Sequence, residues 1–312
     1  MKSLIISLNC VAPIFIMLIV GLLIRKSGMV PEEMFHQLST VCFNILIPSQ
    51  IFYNIYCSDL NAVFSLSLMG YLAAWEAIWF FLNYAFFTWR DPDPRTRGVY
   101  IQCAFRTNIA VVGVSLAKTM MDGAGVAAVT MATALLIPIY NVLAVFTLET
   151  CRGQKVHLNK TLKAIGKNPL IWSCVVGIVC VMIGFRLPDP LERSIRDLGT
   201  AGGAMTLISL GASLKGQGLV DNRRKLVGCN LLRLLIAPAS ALVPAFLFGF
   251  KGNSIGTILI CTATPMATTA FPMALACESD YELTGQVVIT TSLFCCITLF
   301  LWIFALKASA IL

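Results

Sequence analysis

The sequence predicts an all-α integral membrane protein of ten transmembrane helices, arranged as two inverted repeats of five helices each. Three observations lead to this fold class. Of the 312 residues, 58% are hydrophobic and only 12% are charged, whereas soluble domains carry about 25% charged residues. The apolar residues form ten runs, and the two halves of the chain align with each other. The membrane is therefore the expected solvent for this chain.

Each of the ten predicted spans approaches the roughly 20 residues that a helix needs to cross a bilayer. The spans cover residues 4–24, 36–57, 64–88, 99–121, 124–148, 168–186, 195–214, 226–250, 254–277 and 284–306. The runs are continuous, which disfavours the alternating pattern of a membrane β-barrel. The first run is longer than the core of a cleaved signal peptide, so we interpret it as the first helix.

The basic residues predict the orientation. Fourteen of the 23 Lys and Arg residues fall on one side of the predicted membrane, six on the other and three within spans. The positive-inside rule makes the richer side cytoplasmic. We therefore expect a multi-pass protein of the cell inner (cytoplasmic) membrane with both termini outside. These basic residues lie in short loops without interleaved aromatic residues, so no nucleic-acid partner is expected.

The sequence shows no pattern typical of catalysis or metal binding. Its twelve cysteines include no CxxC and no zinc spacing, so we interpret most of them as packing residues. There is no His, Asp or Cys arrangement suited to chemistry in a membrane, and no phosphate-binding loop. We expect no catalytic residues, no metal and no cofactor, which disfavours an enzyme and an ATP-driven pump.

An internal repeat emerges when the chain is shifted by 156 residues. This shift places Pro13 on Pro169, Gly21 on Gly177 and Gly28 on Gly184, and it places Asn108 on Thr264. The predicted units are a first repeat (1–150), a cytoplasmic linker (151–167) and a second repeat (168–312). Because each unit has an odd number of spans, the second must lie upside down relative to the first, as in many secondary transporters.

The fourth and ninth spans are expected to be interrupted near the membrane midplane. Pro265 in the ninth span lacks an amide donor and clashes with the preceding turn, which gives either a kink or a complete break. Its repeat mate has no proline but has Asn108 and Gly113. Two broken helices that cross would present helix N-termini, with free N–H groups and partial positive charge, to a small anion.

The polar residues at this crossing form the predicted binding site. The predicted substrate-binding residues are Arg106, Thr107, Asn108, Gly113, Thr264, Pro265, Thr268 and Thr269 at the crossing, with Asn44, Tyr140 and Asn141 from the second and fifth spans. Two alternatives stay open. The threonines could bond to their own helices, and the residues of the fifth span could join helices instead of lining a cavity.

Arg106 also has two interpretations. It lies about five to seven residues inside its span, roughly 10 Å at 1.5 Å per residue, so its side chain could extend to the cytoplasmic interface. Alternatively, it forms a gate or a counter-ion for the substrate.

Two further charged residues lie within predicted spans. Glu76 lies in the middle of the third span, and Arg233 lies early in the eighth span, within one residue of the repeat mate of Glu76. An ion pair between them is one expectation. The other is that Glu76 takes up a proton and couples transport to H⁺; coupling to Na⁺ is the further possibility at this stage.

The order and spacing of several segments resemble the auxin efflux carrier family of transporters. These segments are PIFIMLIVGLLIRKSGMVPEE, FNILIPSQIF, RTNIAVVGVSLA, NPLIWSCVVGIV and TPMATTAFPMALA. The resemblance implies ten helices in inverted repeats, with spans 1, 2, 6 and 7 as a scaffold and spans 3–5 and 8–10 as a moving transport domain. It also implies that an organic anion binds where the fourth and ninth spans cross, at Asn108 and the Thr264–Pro265 pair.

These observations lead to an expected function. We expect secondary active or potential-driven transport of a small organic anion, a carboxylate, by an elevator-type alternating-access mechanism. The alternative is a membrane sensor or channel-like protein that binds an organic acid without moving it. The expected partners are the anion, the lipid bilayer and a second copy of the chain held through the scaffold spans.

Overall fold

The computed structural model describes residues 2–57, 65–151, 166–213 and 216–309, and every regular element within them is a helix. Most of the predicted linker, 151–167, lies outside the described residues. The helices are α1 (Lys2–Ser27), α2 (Glu32–Val41), α3 (Ile47–Tyr56), α4 (Leu66–Arg90), α5 (Pro94–Phe105), α6 (Val114–Met120), α7 (Gly123–Thr150), α8 (Pro169–Met182), α9 (Asp189–Ser213), α10 (Gly216–Asp221), α11 (Arg223–Leu231), α12 (Ala237–Leu247), α13 (Asn253–Ala263), α14 (Ala270–Ala276) and α15 (Tyr281–Ala308).

Several of these helices have the length and composition of membrane spans. Within the described ranges four are long and apolar enough to cross a bilayer, and three shorter helices are also apolar. The four are Glu33–Tyr56, Gly123–Thr150, Arg223–Leu247 and Tyr281–Ala308. An all-helical membrane protein is thus confirmed, whereas the ten spans and their inverted arrangement stay predictions.

Three π-helical segments interrupt the α-helices: Cys42–Leu46, Ile109–Gly113 and Leu232–Ile236. The first and third immediately precede helices that carry a proline in their first turn, Pro48 in α3 and Pro238 in α12. A proline removes one backbone donor and crowds the preceding turn, and a wider π turn accommodates both effects. The proline in the second span therefore produces a π turn within one continuous helix.

The helices of the predicted scaffold pack closely on one another. α1 packs along α9, and α3 packs against both α8 and α9. A Cβ atom on Gly21 would overlap the carbonyl of Ile208, and one on Gly211 would overlap the carbonyl of Leu18. Glycine at both positions allows the backbones of α1 and α9 to touch. The division into scaffold and transport domain itself stays a prediction.

Some local features recur in the two halves of the chain. Gly28 and Gly184 both have a φ of +66° and each follows the end of a helix, at the predicted offset of 156. Asp122 and Asp280 cap the N-termini of α7 and α15, where their side chains accept the backbone N–H groups of Gly125 and Leu283. The second pair is offset by 158 residues.

Candidate functional site

The fourth and ninth spans are both interrupted, and the two interruptions contact each other. α5 ends at Phe105 and α13 ends at Ala263. Beyond them, Thr107 and Met266 form an antiparallel bridge. The backbone N–H of Asn108 donates to the carbonyl of Pro265 at 2.8 Å, and the N–H of Ala267 donates to the carbonyl of Arg106 at 3.1 Å. Two short extended segments thus satisfy each other's backbone groups inside the protein.

The two interruptions have different causes. Thr264 precedes a proline, which disfavours the helical conformation, and its ψ is 154°. The first interruption has no proline. There Arg106 has an extended ψ of 101°, and its backbone is held by pairing with the other segment. The sequence of the fourth span did not require an interruption there. The interruption results from pairing with the segment of the ninth span.

The offset between the two paired segments differs from the predicted repeat offset. The N–H of Asn108 bonds to the carbonyl of Pro265, and the N–H of Ala267 bonds to the carbonyl of Arg106. In these reciprocal bonds Arg106 and Pro265 are both acceptors, and Asn108 and Ala267 are both donors, an offset of 159 residues. The predicted shift of 156, which aligns the first helices, places Asn108 on Thr264 instead, and the repeat itself stays a prediction.

A cavity of about 60 Å³ lies against the crossing. Seven of the predicted site residues line it: Arg106, Thr107, Asn108, Tyr140, Asn141, Thr268 and Thr269. The first turn of the helix that begins at Ile109 also faces it, through Ile109, Ala110 and Val111. The first N–H groups of a helix have no partner within it, so this wall adds donors and partial positive charge.

Arg106 is an internal residue of the site, with only 2% of its side chain exposed. Its guanidinium donates to Gln102 Oε1 at 3.1 Å, to Asn141 Oδ1 at 3.4 Å and to Thr269 Oγ1 at 2.9 Å. All three acceptors are neutral. This burial excludes the interpretation in which Arg106 extends to the membrane surface.

Asn108 and Thr107 contribute different groups to the cavity. The side-chain amide nitrogen of Asn108 is buried and has no partner among the described residues. The hydroxyl of Thr107 donates to the hydroxyl of Tyr140 at 3.1 Å. Tyr140 and Asn141 therefore both line the cavity and join α7 to the crossing, so neither alternative for the fifth span excludes the other.

Four predicted site residues lie away from the cavity. Gly113 packs against Ile260 of α13, and a Cβ atom there would come within 3.1 Å of that side chain. Thr264 and Pro265 are buried behind the bridge, where Pro265 contributes its carbonyl. Asn44 is exposed and donates to the carbonyl of Thr40 on its own helix.

Nine lining residues were absent from the predicted site, among them Gln50, Asn54 and Gly203. Gln50 and Asn54 are four residues apart, so they lie on one helical face. That spacing could have identified them. Gly203 lies on α9. Because it has no side chain, nothing projects from this position into the cavity.

Arg233 is the second fully buried arginine of this region, and it lies behind the crossing. Its guanidinium donates to the carbonyl of Ala104 at 2.8 Å and to the carbonyl of Thr262. These carbonyls belong to the last turns of α5 and α13, where backbone acceptors lack helical partners and partial negative charge accumulates. Arg233 therefore links the ends of both interrupted helices.

The expected ion pair between Glu76 and Arg233 does not form in this structure. Glu76 is fully buried, and neither oxygen of its carboxylate has a hydrogen-bond partner among the described residues. Arg233 is close enough to influence this carboxylate electrostatically. Its donors are directed to backbone carbonyls instead, because two helix ends converge on it.

An exposed carboxylate outside the membrane also connects the two interrupted spans. Asp122, which follows the fourth span, accepts the N–H of Gly125 at 2.8 Å and the side-chain amide of Asn253 at 2.8 Å. The hydrogen bond from Gly125, followed by that from Asn253, holds the pKa of Asp122 below its usual value. Asn253 begins α13, so this contact joins the outer ends of both spans.

Comparisons with known proteins match nearly the whole chain to one family. A family model described as membrane transport protein matches residues 6–303. An uncharacterised transporter of Methanocaldococcus jannaschii is 23% identical over 95% of this chain and 98% of its own length. An uncharacterised transporter of Methanothermobacter thermautotrophicus is 23% identical over 95% of this chain and 97% of its own. Auxin efflux carrier component 8 of Arabidopsis thaliana is 23% identical over 46% of this chain and 39% of its own.

Proposed function

The chain belongs to the membrane transport protein family, that of the auxin efflux carriers, and from this premise we propose that it carries a small organic anion. It is a multi-pass membrane transporter and not an enzyme. The proposal concerns the substrate, the site and the mechanism. It rests on the charge and hydrogen-bonding capacity of the cavity at the crossing.

One observation carries the proposal: the cavity has an excess of donors and of positive charge. Arg106 is bonded only to neutral oxygens, and no acidic side chain of the described residues forms an ion pair with it. The amide nitrogen of Asn108 has no partner there. An unpaired buried cation is costly, and a bound carboxylate would supply both the missing charge and the missing acceptor.

The size and lining of the cavity indicate which anions fit. One water needs about 10–15 Å³ by this measure of volume, so a cavity of about 60 Å³ holds roughly four waters or one small molecule. Besides the polar groups, its walls include Ile51, Val111 and Ile137. A single arginine with apolar walls favours a short molecule with one carboxylate, such as pyruvate or lactate, over a dicarboxylate such as malonate.

The position of the cavity supports alternating access of the elevator type. One wall comes from α3 and α9, through Gln50, Ile51, Asn54 and Gly203, which belong to the predicted scaffold. The opposite wall comes from the crossing and α7, which belong to the predicted transport domain. We propose that the second group carries the anion past the first, with Gly203 offering little resistance to sliding.

Three further features belong to the same proposal. The positive-inside rule favours an inner-membrane protein with both termini outside. The face of α8 exposes apolar side chains, among them Trp172, Val175 and Val179, and it could contact lipid or a second copy of the chain through the scaffold. Cross-linking in membranes tests the dimer, and labelling of terminal tags tests the orientation.

The central experiment combines binding with transport. Thermal melting of the purified protein is measured with pyruvate, lactate and malonate, and radiolabelled uptake is measured in proteoliposomes. We expect a carboxylate to raise the melting temperature and to enter the vesicles. Asn108→Ala should weaken both effects, whereas Asn44→Ala, the same change at an exposed site outside the cavity, should not.

The outcomes separate the alternatives. Binding without uptake would favour a sensor or channel-like protein over a transporter of this anion. Full affinity in Asn108→Ala would show that the anion binds elsewhere. A lack of both binding and uptake for all three compounds would reject small carboxylates as substrates.

A further inference from the structure

Glu76 is a buried carboxylate that no part of the proposed anion site uses. Its side chain has 0% exposure, and both oxygens lack hydrogen-bond partners within the described residues. An ionised carboxylate in such a place is unfavourable unless a cation or donors compensate it. The neutral acid avoids most of this cost. A proton is therefore the simplest ligand for this position.

The surroundings of Glu76 show that no fixed counter-ion is dedicated to it. Three titratable groups lie near it: Arg233, from the π-helical segment before α12, acts on the carboxylate electrostatically, and Glu76 in turn acts on Tyr140 of α7 and Cys261 of α13. The guanidinium of Arg233 is already bonded to Ala104 and Thr262. The positive charge of Arg233 is thus shared with two helix ends, and the Glu76 carboxylate remains without a bonded partner.

A metal cation fits this position less well than a proton does. Hard cations need several oxygen ligands, whereas no described donor or hydroxyl lies within hydrogen-bond distance of the Glu76 oxygens. Across the described part of the chain, no three His, Cys, Asp or Glu side chains group together as a metal site would require. A proton needs only the carboxylate itself.

Tyr140 connects Glu76 to the anion cavity. Tyr140 lines the cavity and is near enough to Glu76 for the charge of the carboxylate to influence it. Its hydroxyl accepts the hydrogen bond of Thr107 at 3.1 Å, which leaves its own proton available for donation. Tyr140 therefore neighbours both the anion cavity and Glu76.

We propose that Glu76 binds one proton when the cavity binds one anion, so that the protein carries anion and H⁺ together. The inference rests on the proposed anion site. Two negative charges that both lie near Tyr140 repel each other at low dielectric, so the anion favours protonation of Glu76. By linkage, the protonated carboxyl favours anion binding equally. For a monocarboxylate, loading then adds no net charge to the moving part.

The step is a simple proton transfer. A proton from the water on one side joins the carboxylate oxygen of Glu76, and the same O–H bond breaks when the proton leaves on the other side. No oxidant or further reactant is needed. Coupling requires only that the anion and the proton each bind better when the other is present.

The test uses the full chain in proteoliposomes with radiolabelled pyruvate and malonate and a trapped fluorescent pH indicator. We expect entry of either anion to acidify the lumen by about one proton per anion. Pyruvate uptake should follow an imposed pH gradient and respond little to a membrane potential set by a potassium gradient and an ionophore. Glu76→Gln mimics the neutral acid and should lose proton entry, while pyruvate uptake becomes sensitive to the potential.

Control variants distinguish a failure of this inference from a failure of the proposed function. Glu33→Gln makes the same chemical change at an exposed carboxylate and should leave proton entry intact. Thermal melting and anion binding of Glu76→Gln establish that the variant folds. Anion entry without proton entry in the unaltered protein, a requirement for Na⁺, or proton entry that survives in Glu76→Gln would overturn the inference. If neither anion enters, the proposed function fails as well.

Discussion

The two faces of the helix crossing differ in the groups that accept hydrogen bonds from a buried arginine. On the cavity side, Arg106 donates to the side-chain oxygens of Gln102, Asn141 and Thr269. On the far side, Arg233 donates to backbone carbonyls at the ends of α5 and α13. Side-chain acceptors can turn away when a ligand arrives, whereas helix ends are fixed. Equal burial thus permits unequal contacts, and under the proposed function Arg106 is the arginine that binds the anion while Arg233 stabilises the fold.

The largest effect is expected for Arg233, on the far side of the crossing, as a loss of stability. Arg233→Met removes two hydrogen bonds from a charged group, each worth about 1.5–3 kcal/mol. The carbonyl of Thr262 loses its bond from Arg233, while the carbonyl of Ala104 keeps the indole N–H of Trp79. We expect a loss of about 3 kcal/mol or more, measured as a marked fall in melting temperature in detergent. Arg233→Lys can reach one carbonyl and should recover part of the stability. An unchanged melting temperature in Arg233→Met would contradict the structural role of this arginine.

On the cavity side, a loss of binding with little loss of stability is expected. Arg106→Gln removes the charge but keeps hydrogen-bonding groups. Hydrogen bonds to charged groups contribute about 1.5–3 kcal/mol, so carboxylate affinity should fall roughly 10- to 100-fold. Titration by thermal melting or calorimetry measures this fall, with Arg90→Gln, at an exposed residue, as the control. A variant that binds as tightly as the unaltered protein would contradict the assignment of Arg106.

A smaller loss of affinity or uptake is expected for the residues of the cavity wall opposite the crossing. Asn54→Ala and Gln50→Ala each remove one neutral polar group from the cavity, worth about 0.5–1.5 kcal/mol. Affinity or uptake should fall about two- to tenfold. Gln37→Ala, at an exposed position on the preceding part of the same helix, should have no effect. Equal losses in Gln37→Ala would show that the helix, and not the cavity wall, is affected.

The smallest effect is expected at the outer ends of the two spans. The pKa of Asp122 is held below its unfolded value, so its ionised form stabilises the folded state above the unfolded pKa of about 3.9. This contribution is lost as the pH falls through the lower folded pKa. Asp122→Asn should therefore melt slightly earlier at pH 7, and the difference should shrink as the pH falls below about 4. A constant difference across this range would argue against the carboxylate contacts.

Part of the site could be predicted from sequence because polar residues in apolar spans are conspicuous. Asn108 and Pro265 marked the two interruptions, and Tyr140 and Asn141 line the cavity. The second span was harder to interpret. Its π-helical segment, Cys42–Leu46, changes the helical phase, since a π turn holds more residues than the 3.6 of an α-helix. Asn44 lies in that segment and faces outward, whereas Gln50 and Asn54 face the cavity.

The sequence by itself determined the membrane environment, the family and the proline interruption of the ninth span, whereas the interruption of the fourth span depends on its pairing with the ninth. Composition, apolar runs and proline chemistry are local properties, and they act within a few residues. Only the tertiary structure decided that Arg106 faces the cavity while Arg233 joins two helix ends, and that Glu76 has no bonded partner. Both arginines are cations in apolar spans, and what each one contacts depends on backbone segments more than 150 residues apart that meet only when the chain folds.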